Sequence, residues 1–379
     1  EQLLQVWIYN SFDQGRGDDQ FEAGVLFLVA SMCSHSCSPN AAWHLDDANS
    51  FILHARQPIE EGEELTIPYL GPADLCLPTP DRREILEVTK AFVCQCERCA
   101  SALDGMRAFR CPEGAGTAFA RAASLKDVTA AIQAGAVEAG MVQCTSCGEL
   151  SAAQCRELLE AEARLWPRAR AWREFHSRGD SEEESAAAPE GTPPDEDAAP
   201  APAAAAMELL DSALAAGLGD GHWIVDVFRA MAVEEAAKLE GEEKGAGGAA
   251  AADAAGGTQS CASRCSLLRD RVAAHRTAGP HTVTKRARLQ LALGSALCES
   301  RSAEATREAV KAYADASETL AVLFGDDHPE YQEAVALQEK AARRLTALES
   351  KKVVASSATG PAEVTAAAAR GRRKKGGRR

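Results

Sequence analysis

Hydrophobic positions change period along the chain. From Phe51 the stretch FILHAR alternates apolar and polar side chains, the two-residue period of a half-buried strand. QPIEEGEE then predicts a turn around Gly62, and ELTIPYL restores strand character until Gly71-Pro72 stops it. A helix is predicted over PDRREILEVTK, because Pro80 and Asp81 suit a first turn. Far downstream, Ala309, Ala312, Tyr313, Ala316, Leu320 and Leu323 recur at helical spacing, break at GDDHP, and the helical pattern resumes. That predicts a helical hairpin whose small residues let two helices approach closely.

Residues 177–206 are Glu, Asp, Pro, Ser and Ala with almost nothing to bury, so ordering them would cost entropy without compensation. They are read as a disordered linker, as is the Gly/Ala-rich stretch 241–261. Between them lies a helical segment, 207–240, and after them a helical region, 262–350. The hairpin there resembles a tetratricopeptide-type unit, which cannot cover its apolar face alone; Thr282 to Glu299 and Met207 to Leu239 are expected to stack on it.

The longest uncharged apolar run, Ala23 to Cys33, is far short of the roughly 20 residues a membrane span needs, and no basic-then-apolar leader opens the chain. A soluble protein of the cytoplasm, the nucleus or both is expected. Glu1 is an odd first residue for a translated chain, so the sequence reads as a piece lacking its N-terminus. The formal charge of -15 argues against broad nucleic-acid binding. The exception is the tail, 351–379, read as disordered, where seven of the last ten residues, RGRRKKGGRR, are basic and suit nuclear import or RNA contact.

Thirteen cysteines in a chain without secretory features suggest thiols and zinc rather than disulfides. In FVCQCERC, Cys94, Cys96 and Cys99 form CxCxxC, three of the four soft ligands that a structural zinc requires. Spacing leaves the fourth open among Cys33, Cys37, Cys76 and later cysteines. Further on, Cys111 in RCPEG and Cys144 and Cys147 in CTSCG suggest a zinc ribbon, with Gly114 standing where a second cysteine would complete the first half. Cys155 and His176 are candidate fourth ligands; a degenerate ribbon without metal is the competing reading.

NSF at Asn10–Phe12, CSHSCSPN at Cys33–Asn40, GEELTIPYL at Gly62–Leu70 and FVCQCERC at Phe92–Cys99 occur in one order. In that order the chain resembles SET-domain protein-lysine methyltransferases of the SET-and-MYND type. The resemblance implies an α+β fold: small β-sheets with a threaded segment, a post-SET zinc site, and a helical, tetratricopeptide-like C-terminal domain. Residues 1–75 would be the C-terminal part of the SET domain, 76–110 the post-SET segment, and 111–176 a cysteine-containing ribbon-like and helical segment.

The implied reaction moves a methyl group from S-adenosylmethionine to the neutral side-chain amine of a lysine in a protein or peptide substrate. By the same resemblance Cys37 joins Cys94, Cys96 and Cys99 around zinc, Asn10, Ser34, His35 and Phe92 contact the cofactor, and Tyr69 is catalytic, holding amine and methyl in line. Cys33 becomes a core thiol, and Pro39-Asn40 turns the chain out of the threaded segment. Ser34 stands where the family carries Asn, and Lys90 where relatives often carry an aromatic ring. A Gly-x-Gly strand and a MYND finger are expected upstream of Glu1. The alternative function is a catalytically inactive SET-fold module whose helical repeats bind a partner peptide; a monomer is expected in either case.

Overall fold

A computed structural model describes residues 2–13, 24–46, 48–114, 116–179, 204–246, 256–300 and 302–358. No described helix is long and apolar enough to cross a membrane.

The first part is built from very short strands. Helix α1 (Gln2–Asn10) leads into β1 (Ser11–Asp13), which pairs antiparallel with β2 (Gly24–Leu26). Strands β4 (Ala41–Leu45) and β5 (Phe51–Ala55) form a hairpin; its turn is held by the Asp46 carboxylate, which accepts from the backbone of Ala48 at 2.9 Å and Ser50 at 2.7 Å. Phe12, Trp43 and Phe51 pack ring against ring at 4.9–5.4 Å and supply a core that two- and three-residue strands could not hold by hydrogen bonding.

Strand β3 (Ser34–His35) pairs in parallel with β6 (Thr66–Ile67), which brings two distant sequence motifs side by side. The strand predicted over ELTIPYL is only those two residues. What fixes the crossing is Asn40, 5% exposed. Its amide nitrogen donates to Glu63 Oε1 at 3.0 Å and to the Glu64 carbonyl at 2.9 Å, and its oxygen accepts from the Thr66 N–H at 2.9 Å and hydroxyl at 3.2 Å. One side chain, from the segment after β3, thus satisfies donors and acceptors of the segment that enters β6.

Helix α2 (Thr79–Lys90) begins with Pro80 in its first turn and ends at Ala91, a left-handed residue with φ 59°. That reversal delivers Phe92 and the cysteines, the last of them on the one-turn helix α3 (Glu97–Ala100). Strands β7 (Leu103–Arg110), β8 (Thr117–Arg121), β9 (Val142–Cys144) and β10 (Gly148–Glu149) then form an antiparallel sheet, with α4 (Leu125–Gln133) between β8 and β9. Helix α5 (Ala152–Gly179) packs on this sheet with α6 (Ala204–Ala215) and α7 (Trp223–Ala246). Phe109, Trp166, Trp223 and Phe228 are almost wholly buried there.

The segment read as one helical island is therefore two helices, broken where the chain reads GLGDG and Gly217 takes φ 91°. Helices α8 (Gly256–Ala278), α9 (Val283–Glu299), α10 (Ala303–Phe324) and α11 (Pro329–Ala358) follow as successive neighbours. At Gly294 an added Cβ would lie 2.6 Å from the Tyr313 ring, so the small residue is what allows α9 and α10 to approach. Helix α5 reaches into the first expected linker, and α7 and α8 shorten the second from both ends. Helix α11 extends to Ala358, into the expected tail; the basic decapeptide lies outside the described residues.

The helical part rests on the β4–β5 hairpin. His44 contacts His328 (ring centroids 4.7 Å) and His54 (5.4 Å), and Arg56 donates to the Pro280 carbonyl at 2.8 Å. Inside the helical part Asp226 is buried against Arg271 (2.8 Å), Lys285 (2.6 Å) and His275 (3.2 Å). Burial opposes the Asp226 charge, but these cations hold its carboxyl well below the usual carboxylate range.

Candidate functional site

The parallel pairing of β3 with β6 places His35 beside the chain that runs on to Tyr69. The Tyr69 N–H donates to His35 Nδ1 at 3.0 Å, so the proton of the neutral ring sits on Nε2, 3.3 Å from Cys37 Sγ. Burial pushes the His35 imidazole down to about 4, which keeps it neutral at pH 7. The Tyr69 hydroxyl donates to the Cys33 carbonyl at 2.7 Å, and burial, with Cys33 beside it, raises its pKa, so it remains a neutral phenol. With its proton committed to Cys33, the phenol oxygen turns only lone pairs outward.

Phe92 completes the group. Its ring meets His35 edge-on at 6.0 Å and Tyr69 at 6.2 Å. Beside them the Lys90 ammonium lies 5.9 Å from the centre of the Tyr69 ring and donates to the Tyr9 carbonyl at 3.2 Å, tying α2 to α1. Lys90 therefore occupies one margin of the aromatic cluster with a positive charge.

His35 also connects the ring cluster to a thiol cluster. The Sγ atoms of Cys37, Cys94, Cys96 and Cys99 lie within 4.8 Å of one another, and no disulfide links them. Four zinc–sulfur bonds of about 2.3 Å in a tetrahedron put sulfurs about 3.8 Å apart, so this set fits zinc with little closure. Three arginines brace it. Arg82, fully buried, donates to Cys99 Sγ at 3.4 Å; Arg83 donates to the carbonyls of Cys94 and Cys99, each at 2.9 Å; Arg98 donates to the Cys37 carbonyl at 3.2 Å. A positive surround of this kind favours thiolates and fixes the backbone that carries them.

The structure therefore brings together His35, Tyr69 and Phe92 on one side and Cys37, Cys94, Cys96 and Cys99 on the other. Asn10 and Ser34 are differently engaged. Asn10 donates its amide to the Val6 carbonyl of its own helix at 2.9 Å, while Ser34 hydrogen-bonds the Glu64 carboxylate. Helix α1 shows Leu3, Leu4, Trp7 and Ile8 to solvent. Sequence reasoning missed Asn40, read only as part of a turn, and the three arginines, which in PDRREILEVTK and CQCERC look like ordinary solvent-facing charge. The signal for Asn40 was the GEEL segment, whose carbonyls and amides need a partner.

A second cluster unites Cys111, Cys144 and Cys147. Neither expected fourth ligand joins it. Cys155 is turned into the sheet core, 3.4 Å from the Val142 nitrogen and 3.5 Å from the Leu150 carbonyl, because it sits on the buried face of α5. His176 lies near the far end of that helix and pairs with Glu234 at 2.7 Å.

Comparison with known proteins places these motifs. Residues 7–70 match the SET domain family model. The protein-lysine N-trimethyltransferase SMYD5 of Danio rerio is 37% identical over 100 residues, 26% of this chain and 24% of that protein. A SET and MYND domain-containing protein of Dictyostelium discoideum is 36% identical over 83 residues, 22% of this chain and 23% of the relative. Histone-lysine N-methyltransferase SET5 of Saccharomyces cerevisiae is 36% identical over 81 residues, 21% and 15% of the two chains. The matches thus span about a quarter or less of these relatives' lengths. By its ordered motifs and these matches, the segment 7–70 is similar to a SET domain, and the relatives it resembles include proteins of the SET-and-MYND type.

Proposed function

We propose that this protein transfers a methyl group from S-adenosylmethionine to the side-chain amine of a lysine in a protein substrate, histone or non-histone. Cys37, Cys94, Cys96 and Cys99 hold a zinc ion that ties the HSC segment to the chain carrying Phe92. The observation that carries this reading is Tyr69, held by its backbone on His35 and by its hydroxyl on Cys33, beside Phe92 and linked through the His35 ring to Cys37 of the thiol cluster.

Aromatic faces and a backbone carbonyl suit a cationic sulfur, so the ring cluster fits the cofactor. When bound, the cofactor supplies a methyl group activated by a positive sulfonium. His35 and Phe92 form the wall of its site, with Asn10 and Ser34 at the margins after releasing their present partners. Tyr69 does the positioning. Its outward lone pairs accept an N–H of the incoming lysine, which aims the amine's lone pair without adding charge. Because the amine must be neutral to react, the half-buried, neutral His35 and Tyr69 favour loss of its proton, as desolvation does for any lysine. Alignment of this kind lowers a barrier by several kcal/mol.

Lys90 favours a second reading, an inactive SET-fold module whose helices bind a partner peptide. Its ammonium faces the ring cluster at 5.9 Å, where it would repel both a sulfonium and a protonated lysine. The stacked helices α8 to α11 and a groove of about 360 Å³ lined by Pro39, Arg56, Pro280, Glu318 and Val322 would receive the peptide. Full-length protein incubated with methyl-labelled S-adenosylmethionine and arrayed proteins separates the two. Label recovered on lysine supports the transferase. Cofactor that neither binds nor labels any target contradicts it and supports the module.

A further inference from the structure

We propose that Cys111, Cys144 and Cys147 bind a second zinc ion through three thiolates, with its fourth coordination position open at Gly114 to water or a small exogenous ligand. This site lies in the β7–β10 sheet and does not depend on the methyl-transfer reading.

Two turns face each other at the end of that sheet. Cys144 closes β9 and Cys147 lies in the turn before β10, while Cys111 follows the last residue of β7. All three Sγ atoms lie within 4.8 Å of one another, and Cys111 Sγ is 3.5 Å from Cys147 Sγ, far beyond a disulfide bond of about 2.05 Å. In Cys144-Thr-Ser-Cys147-Gly148 the Ser146 N–H donates to Cys144 Sγ at 3.4 Å, and Gly148 takes φ 82°, returning the chain opposite Cys144 in register. A backbone donor aimed at a sulfur, followed by a left-handed glycine, presents two thiolates to one point.

The facing turn repeats the spacing without the second thiol. Gly114 stands three residues after Cys111, as Cys147 does after Cys144, and its N–H closes the turn on the Cys111 carbonyl at 2.9 Å. A Cβ built at Gly114 meets nothing within 4 Å, so the place a fourth side chain would take is open space. Nearby polar groups are engaged elsewhere. Glu113 accepts from Gln154 at 2.6 Å, and the Thr145 hydroxyl donates to the Thr117 carbonyl at 3.2 Å. Among the described residues no fourth Cys, His, Asp or Glu joins the group.

Burial sets the direction of access. Cys111 and Cys144 are 6% and 5% exposed, whereas Cys147 faces solvent. On binding, three thiol protons pass to solvent and no electrons are exchanged. The Cys37 site has four thiolates enclosed by arginines; this one has three and an open side, the arrangement in which zinc exchanges ligands. The two ions therefore differ in lability.

The test uses the 379-residue chain, purified under reducing conditions, with zinc counted by mass spectrometry before and after brief exposure to EDTA. Two zinc ions per chain are expected, of which EDTA removes one quickly. Cys147→Ser, a change at an exposed side chain, should carry only the resistant ion with an unchanged circular dichroism spectrum, and Cys37→Ser should lose the resistant ion and keep the labile one. In cobalt-substituted wild type, added imidazole should shift the visible bands; Cys147→Ser should lack the shift. A single zinc in wild type that Cys147→Ser leaves unchanged overturns the proposal, as does a Cys111–Cys147 disulfide in place of metal. Cobalt bands indifferent to imidazole overturn the open fourth position.

Discussion

Replacing Asn40 by alanine tests how the site is held together. The parallel pairing of β3 with β6 covers only two residues of each strand, yet Tyr69 reaches His35 and Cys33 through it. Four hydrogen bonds depend on the Asn40 side chain. The one to the exposed Glu63 carboxylate is replaced by water at little cost, and the Thr66 hydroxyl, which still accepts from the Asn40 N–H at 3.1 Å, can turn its own proton to water. The Thr66 N–H and Glu64 carbonyl are left unpaired at a half-closed junction. A buried polar group without a partner costs about 1–3 kcal/mol, so the pair gives about 3 kcal/mol after partial rehydration. Asn40→Asp makes a sharper version. Its carboxylate can still accept from Thr66 but faces the Glu64 carbonyl and Glu63 carboxylate with no proton to give, so at pH 7 it should fare no better than alanine. Protonation at pH 4 restores a donor, and the aspartate variant should then regain part of the loss. Urea midpoints followed by Trp43 fluorescence, in a background with the other tryptophans replaced, measure both. A loss below about 1 kcal/mol in Asn40→Ala, or an aspartate variant as stable as wild type at pH 7, would refute the clamp.

Elsewhere, Asp226→Asn should destabilise the helical part by about 3–5 kcal/mol, because Arg271 and Lys285 lose their buried countercharge; an unchanged thermal midpoint would show that the network contributes nothing. The His44–His328 contact should weaken in acid. Burial lowers the pKa of both rings below the usual 6.5, and the neutral Nδ1 of His328 accepts from the Glu330 N–H at 3.2 Å. Because the unfolded state binds these protons more readily, the contact's contribution is complete above pH 6.5 and declines as pH falls through the lowered values. Asp46 opposes this at His44 and Glu330 at His328, so the change is partial. Hydrogen exchange across Phe324–Gln332 should be faster at pH 5.5 than at 7.5, after correction for intrinsic rates; equal protection would contradict it.

Periodicity gave the elements with strong local patterns: the β5 strand, α2, and the α10–α11 hairpin with its break at GDDHP. It failed where tertiary partners decide. The parallel pairing of β3 with β6 has no periodic signature in two residues; the GLGDG break, by contrast, is legible as three glycines in five residues, a signal passed over in reading one helical segment. In the site, Cys37 entered the ligand set only through the resemblance, because spacing could not choose among the distant cysteines; folding brings it within reach of Cys99 at 3.5 Å. Asn40 and Arg82 were illegible for a related reason. Each is a polar residue in a polar stretch, and only the long-range pairing shows that it is buried among groups that need it. The Gly/Ala stretch after residue 240 misled by composition: α7 continues through Ala246.

The central claim is that Tyr69 aligns an amine for methyl transfer. Kinetics of lysine methylation by wild type and Tyr69→Phe test it most directly, read by mass spectrometry of the modified substrate, with cofactor binding measured in parallel. Removing the hydroxyl should leave cofactor affinity within a few-fold and lower kcat by about 10²-fold, the loss that follows from misplacing reacting groups. Loss of the bond to Cys33 should cost only about 1 kcal/mol of stability, which a melting curve separates from catalysis. Methylation by Tyr69→Phe at the wild-type rate would contradict the account.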